Sequence, residues 1–548
     1  MQLNNNSMSP VETYSSPLHS DHGLILSFLL QGYHQHYLAI RVVEYLVLSY
    51  ATWRIWKFTL SPLLYPNDPK ELPYWTPFFG HGFAFFHNSQ DLLSKATSYF
   101  DDRQDPFALN VWGSRLYIVS DPKQTNEIYK NLETLSFTEF VSGLFKTNEV
   151  SKAGVDAIYM NLPSDKPGVP NPAGTSLGGG LVRQMHVQQL YPGENLDQLE
   201  RRFLEYFQQF TTLSVMRRAC APYTVSQDDN SIQVPLMQWC SEYFVRAGGI
   251  AYFGDMLAAI DQQLAPTFIA FDDLSWQAIY QYPQFLSRRM RAERAQTQRA
   301  FIKYFEVPQN QRTGDAWFTK TMENELRALG VGTEDIGKML VTLHWAINTN
   351  TRKTAFWMLS YILRNPSYIE PLRKETSNAF QGEILTDINH LHNHCPLLEA
   401  VWYETLRLAS NAASVRRVVE DTVIGGKILR KGARIMIPYR LLHFDKTVYG
   451  EDVQIFRPER FMGPDGEKLT RGDSWRPFGG GKTMCSGRHI AKRATQIFLA
   501  MVLRRFDVTI VGDVDLPPAD LGRPVLGIMA VKFDQDYNVR LTKRSLSV

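Results

Sequence analysis

Cysteine is scarce in this chain: Cys220, Cys240, Cys395 and Cys485 are all that 548 residues hold. So few exclude a disulfide scaffold and fit a reducing compartment. No CxxC pair occurs, which removes the usual zinc spacing. An excess of one charge is missing too. Lys plus Arg number 58 against 55 Asp plus Glu, a net +3, too balanced to suggest nucleic acid as a partner. No internal repeat is visible, and no long polar or low-complexity linker follows residue 80. With 44% hydrophobic residues, one large globular unit is the better reading. The length alone would allow about three or four ordinary domains.

Positive charge is absent before Arg41. Residues 1–22 are polar and read as a disordered N-terminus. The apolar runs Leu24–Leu30 and Tyr37–Trp53 follow, so residues 23–53 read as a membrane anchor. The second run is about long enough to span a bilayer, but Arg41 and Glu44 interrupt it, spaced to pair on one helix face. A helix lying in the membrane interface is the competing reading. Arg54 and Lys57 follow the run, which leaves the bulk of the chain on the cytoplasmic side. A cleaved signal peptide fits poorly, without a charged start or a small-residue cleavage site. Residues 54–80 carry Pro62, Pro66, Pro69, Pro73 and Pro77 and read as a stiff extended linker. Residues 81–548 form the main body.

Within that body, Phe107–Val111 and Leu116–Ser120 flank Trp112-Gly113-Ser114, a hairpin signal. Leu162–Gly180 is too rich in Pro and Gly for regular structure. Its triple glycine has no preceding strand and no following Gly-Lys-Ser/Thr, which rejects a phosphate loop. From about residue 182 to about residue 412 the apolar spacing is mostly helical. Thr333 reads as an N-cap of a helix reaching Asn365, where Pro366 stops it. At 1.5 Å per residue it would be about 50 Å long and cross the whole domain. Short strands and turns follow residue 414. Arg488–Arg505 reads as a helix burying Ile490, Ala494, Ile497, Phe498 and Met501, and Val525–Val531 and Val539–Leu541 read as strands.

The stretch Phe478-Gly479-Gly480-Gly481-Lys482-Thr483-Met484-Cys485-Ser486-Gly487-Arg488 carries the chemistry. It places a thiol in a glycine-rich turn that opens a helix. Free N–H groups of the first turn and the helix dipole favour the thiolate, the form that binds a metal. The bland alternative is a buried structural cysteine.

This order of Phe, Gly, Cys and Gly resembles the haem-binding signature of the cytochrome P450 family. Glu404-Thr405-Leu406-Arg407 and Phe456-Arg457-Pro458-Glu459-Arg460-Phe461 are similar to two further motifs of that family, in the right order. The resemblance covers roughly residues 60 to 545. It implies a mainly α fold with small β-sheets, a single large haem domain behind an N-terminal membrane anchor. It implies haem b with Cys485 as axial thiolate, Phe478 packed on the proximal side, and Gly481 and Gly487 shaping the loop. It implies a buried triad of Glu404, Arg407 and Arg460. For the haem propionates Arg416 leads, with Arg417 its competitor. Arg183 and His186 lie on a helix that usually serves the propionates but lacks the family's Trp.

Two departures narrow the branch. Thr483 stands where most members have Arg or His. In His344-Trp345-Ala346-Ile347-Asn348-Thr349-Asn350-Thr351, Thr349 takes the place of the usual acid and Asn350 that of the usual threonine. This pattern resembles the branch with sterol 7α- and 12α-hydroxylases and prostacyclin synthase, although Lys353 stands where most of that branch have proline. Asn350 would donate to an iron-bound oxygen or hold a water, while Thr349 and Thr351 would carry a water chain. The implied function is a monooxygenase inserting oxygen from O2 into a lipophilic substrate, a sterol, terpenoid or related secondary metabolite. Electrons would come from NADPH through NADPH-cytochrome P450 reductase, docking near Arg476, Lys482, Arg488, Lys492 and Arg493. The implied location is the endoplasmic reticulum membrane with the catalytic domain cytoplasmic. A reductase-independent isomerase acting on a peroxide and a noncatalytic haem sensor are the alternatives.

Overall fold

In the computed structural model, residues 21–100, 105–280 and 282–545 are described, with side chains from residue 37 onward. The disorder expected over residues 1–22 lies outside these residues up to position 20. The chain divides into two units, one ending at Asp68 and one beginning at Pro69.

In the first unit, helix α1 spans Asp21–Ile55. Arg41 donates to Glu44 on its surface at 2.9 Å, the pairing their spacing predicts. Among the described residues no helix is long and apolar enough to cross a membrane, so a spanning anchor over residues 23–53 is not shown. Behind α1 the extended linker gives way to helical turns. A π-turn Trp56–Leu60 leads into a short helix, Ser61–Leu64, which takes Pro62 in its first turn. Proline is tolerated there because its missing N–H would have no helical partner anyway.

The second unit is mainly helical with small sheets. The helices that build the site are α2 (Gly82–Tyr99), α3 (Val182–Leu190), α4 (Leu236–Ile260), α5 (Leu264–Leu274), α6 (Arg288–Glu306), α7 (Thr333–Arg364), α8 (Pro396–Ala409) and α9 (Arg488–Arg505). Helix α7 ends before Pro366 as the sequence predicts. Its cap is Gly332, however, and Thr333 is the first helical residue, its hydroxyl taken by Arg327. Packed against α4, α6, α8 and α9, it buries residues on nearly every face, which is why its apolar spacing shows no clean stripe. Helix α9 buries all five residues expected of it.

A six-stranded sheet orders β1 (Lys70–Glu71), β2 (Phe107–Val111), β3 (Ser114–Ile118), β4 (Leu135–Ser136), β5 (Ala413–Val418) and β6 (Arg434–Pro438) as β1-β2-β3-β6-β5-β4. The β2–β3 hairpin turns through Trp112 and Gly113, both at positive φ, which matches the right-handed twist of its strands. A four-stranded sheet pairs Phe506–Ile510, Asn538–Lys543, Ser231–Pro235 and Ser226–Gln227. Two expectations change. Leu177–Leu181 forms a π-turn inside the stretch read as irregular. Of Val525–Val531 only Ala530–Val531 is strand, because the N–H groups of Ile528 and Met529 are taken by the Asn350 side chain and the Ala409 carbonyl.

Helix α4 breaks at Gly254, whose φ of 65° lies in the left-handed region; a Cβ there would stand 2.0 Å from the Thr313 carbonyl oxygen. Replacing Gly254 with alanine therefore combines backbone strain and a clash. Gly254→Ala should cost at least about 2 kcal/mol in denaturant unfolding. A loss below about 0.5 kcal/mol, the scatter of neutral surface changes, would show that the kink relaxes freely.

Candidate active site

The cysteine loop is anchored from both sides. Cys485 N donates to the Phe478 carbonyl at 2.9 Å, and Phe478 itself stacks on Trp402 with ring centroids 5.7 Å apart. Gly481 has a φ of 58°, and its hypothetical Cβ would stand 2.8 Å from the Tyr129 carbonyl oxygen. The glycine is thus required by Tyr129 on the neighbouring helix. Gly487 is the N-cap of α9 and brings the chain to the sulfur without a side chain in between: its Cβ position is 3.7 Å from Cys485 Sγ.

Surrounding protein pushes the Cys485 thiol above its usual value, while the N–H groups of Gly487 and Arg488 and the Arg488 charge pull it down. Yet Cys485 is surface-accessible. The sulfur is thus reachable although protein surrounds it closely. A bound metal would reverse the first effect and hold the thiolate. Helix α7 also opens onto space. Ala346 is exposed in mid-helix beside Trp345, which is buried, and Ile347 and Asn350 are half-buried.

Arg416 on β5 is buried at 2% exposure, and no carboxylate pairs with it among the described residues. Its guanidinium donates to the Ser414 hydroxyl at 3.0 Å, the Val415 carbonyl at 2.8 Å and the Thr483 hydroxyl at 2.5 Å. Thr483 thus serves as a neutral prop for Arg416. Burial lowers the Arg416 pKa. An unpaired buried cation is costly, so this position suits an anionic group of a ligand. Arg417 instead lies near Glu139 at 3.7 Å on the outside. On α3, Arg183 is exposed and His186 stacks on Phe318, so neither repeats the arrangement at Arg416.

Glu404 and Arg407 on α8 form a fully buried two-pronged pair, both contacts at 2.7 Å. Arg407 also donates to the carbonyls of His443 and Val453, and Glu404 accepts from Arg457 N at 3.0 Å. Arg460 joins more loosely. Its Nε stands 3.5 Å from Glu404 without a hydrogen bond, and its firm partner is Asp452 at 2.7 Å. Asp452 carries no motif signal; it is visible only in three dimensions.

The distal expectations are corrected in part. The Thr349 hydroxyl donates to Asp272 on α5 at 2.5 Å and is buried away from the open side. Thr351 bonds back to the Ile347 carbonyl, as threonine in a helix often does. Neither offers a hydroxyl to a water chain in this arrangement. Asn350 keeps its place, but Oδ1 accepts from Ile528 N at 2.9 Å, which leaves Nδ2 as the donor. The basic cluster is also largely spent: Arg476 pairs with Asp473, Lys492 with Glu399, and Arg493 with Asp197 and Glu200. Among the described residues Lys482 and Arg488 remain without an ion pair.

A family model described as Cytochrome P450 matches residues 268–533, which contain α7, Glu404, Arg407, Arg460 and Cys485. The chain is 28% identical to cytochrome P450 monooxygenase poxD of Penicillium oxalicum, over 82% of this chain and 90% of that protein. It is 25% identical to the 5-beta-cholestane-3-alpha,7-alpha-diol 12-alpha-hydroxylase of Sus scrofa, over 88% of this chain and 95% of that protein. Its fold is similar to that of a retinoic acid-bound cyanobacterial CYP120A1, with a TM-score of 0.63 at 17% identity over 87% of this chain and 99% of that one.

Removing one member of the Glu404–Arg407 pair strands the other as a buried charge, at a cost of about 3–5 kcal/mol. Arg407→Ala and Glu404→Ala should both leave little soluble protein or lower the melting temperature sharply. Arg460→Lys, which can still reach Asp452, should do much less. Equal melting curves for all three would remove the pair from the centre of the fold.

Proposed function

Starting from a chain that belongs to the cytochrome P450 family, an oxidoreductase whose haem is held by a cysteine thiolate, we propose that Cys485 is the iron ligand of a monooxygenase acting on a sterol, terpenoid or related lipophilic metabolite. The observation that carries this reading is the Cys485 sulfur, accessible yet closely surrounded by protein and met by the N–H groups of Gly487 and Arg488. When bound, haem supplies oxygen-activating iron, and the thiolate push favours O–O cleavage. Arg416 would hold a propionate: it is buried, has no carboxylate partner among the described residues, and reaches Thr483 of the cysteine loop. Phe478, locked on Trp402, keeps the loop rigid beside the sulfur.

On the distal side, Asn350 Nδ2 is the donor available to the reacting centre or to a water beside it. Ala346 and Ile347 on α7 and Leu526 on the loop before Ala530–Val531 offer apolar lining, which suits a lipophilic substrate. The 12-alpha-hydroxylase relative supports the sterol end of the range. A flavin reductase using NADPH is the proposed donor, meeting Lys482 and Arg488 beside the cysteine loop.

Membrane association is proposed as lying on the bilayer. In the second unit Trp75, Phe78, Phe83 and Trp112 are exposed, and Phe79, Phe83 and Trp112 touch ring to ring. So contiguous an aromatic patch suits a lipid interface. The endoplasmic reticulum membrane, with a cytoplasmic catalytic domain, is the setting in which such a reductase would be met.

The reduced, carbon-monoxide spectrum should show thiolate ligation and lose it in Cys485→Ala. With NADPH and reductase, a sterol and terpenoid panel should yield an oxygenated product under air and none under argon. Turnover of a peroxide without NADPH would favour the isomerase instead. Binding without any turnover would favour a sensor.

A further inference from the structure

The centre of the distal helix carries Thr349 and no acid, yet a buried ionic cluster surrounds that position. Asp272 on α5 and Arg352 on α7 are each only 1% exposed. One Asp272 oxygen accepts from Trp345 Nε1 at 2.7 Å and from the Thr349 hydroxyl at 2.5 Å. The other pairs with Arg352 and lies 3.2 Å from Lys353 Nζ. Lys353 Nζ also donates to the Thr349 hydroxyl at 3.2 Å. Arg352 reaches outward to Asp273, which is 50% exposed, and inward to the Ser241 hydroxyl on α4 at 2.7 Å. The cluster therefore runs from solvent at Asp273 to Thr349, one residue before the cavity-side Asn350.

We propose that Lys353 and Asp272 replace the missing acid: Lys353 is the proton store, Thr349 the relay, and Asp272 the positioning residue that holds both. This rests on the monooxygenase reading above and deepens it.

The charges that face Lys353 are Asp272 and Asp273 from α5 and Arg352 from its own helix; α4 contributes only the Ser241 hydroxyl to this network. Burial pushes the Lys353 ammonium below the ordinary lysine range, against the pull of Asp272. Burial would raise the Asp272 carboxyl, but Lys353 and Arg352 hold it ionised, so it accepts hydrogen bonds without storing a proton itself. In the transfer, a Lys353 Nζ–H bond breaks and a Thr349 O–H bond forms. Thr349 releases its own proton to a water on the Asn350 side. Threonine has two helix-compatible χ1 positions, which lets its hydroxyl turn from Asp272 to that side. A proton taken up from water restores Lys353, the cluster ends unchanged, and no electron moves within it.

Lys353→Arg is the decisive variant, because arginine keeps the positive charge but cannot give up a proton in this range. The probe is NADPH oxidation by the full-length haem protein with reductase under air, without any organic substrate. Native oxidation should slow as pH rises through the range where Lys353 loses its proton, which lies below that of an ordinary lysine. Lys353→Arg should lose about 10²-fold with no such pH dependence, and its solvent deuterium isotope effect should change. Thr349→Ser should keep the native rate and Thr349→Val should not. Independently of turnover, a 15N-lysine spectrum of the native protein should contain one resonance that vanishes in Lys353→Arg and titrates below the ordinary lysine range. A native rate and pH profile in Lys353→Arg, or equal rates in Thr349→Ser and Thr349→Val, would overturn the relay and leave the cluster a clamp. Where Lys353→Arg melts far below the native protein, the threonine pair decides. Failure of the underlying reading would appear separately, as a native carbon-monoxide spectrum without thiolate ligation.

Discussion

One buried ion pair, Glu404 with Arg407, fixes what the rest of this structure can do. Its two parallel contacts lie inside the protein, where desolvation would make either charge alone intolerable. The remaining guanidinium donors end on the carbonyls of His443 and Val453, and Glu404 takes the N–H of Arg457. A helix is thereby bound to the irregular chain that leads to the cysteine loop. That chain is built of short helical pieces joined by turns. Its geometry is set by side chains that satisfy its backbone, and through it the position of the Cys485 sulfur.

Much of this was legible in the residues. The cysteine loop, Glu404 and Arg407 are separated by few positions within each motif, and short-range spacing maps directly onto helix faces and turns. The α7 and α9 helices were readable for the same reason, with Pro366 and the loop glycines as punctuation. Thr349 shows where such reading stops. Chain position places it beside the distal centre, but the direction of a hydroxyl depends on what a neighbouring helix offers, and Asp272 offers a carboxylate. Asp452 is invisible for a similar reason: its partner Arg460 is chosen by tertiary approach. Arg416 lay between. Its buried side on β5 follows from strand alternation, whereas the lack of a counter-ion had to be seen in place.

The two faces of the site are built on opposite principles. On the thiolate side, rigidity comes from glycines pressed against Tyr129 and a phenyl ring stacked on Trp402, so few atoms can move. On the distal side, charges and hydroxyls share protons across α5 and α7, and the same atoms admit more than one hydrogen-bond arrangement. Tight packing holds the sulfur; exchangeable bonds surround the reacting space.

The tie between Asn350 and the N–H of Ile528 links the distal helix to a loop that helps shape the space for an organic guest. Gly527 lies so close beneath that amide that a methyl group would overlap it, 2.3 Å from Oδ1. Selection for a new guest through this loop would therefore disturb oxygen handling in the same step. Diversification of such a protein is expected to proceed by paired changes, one in the loop and one on the helix, because neither partner is free to drift alone.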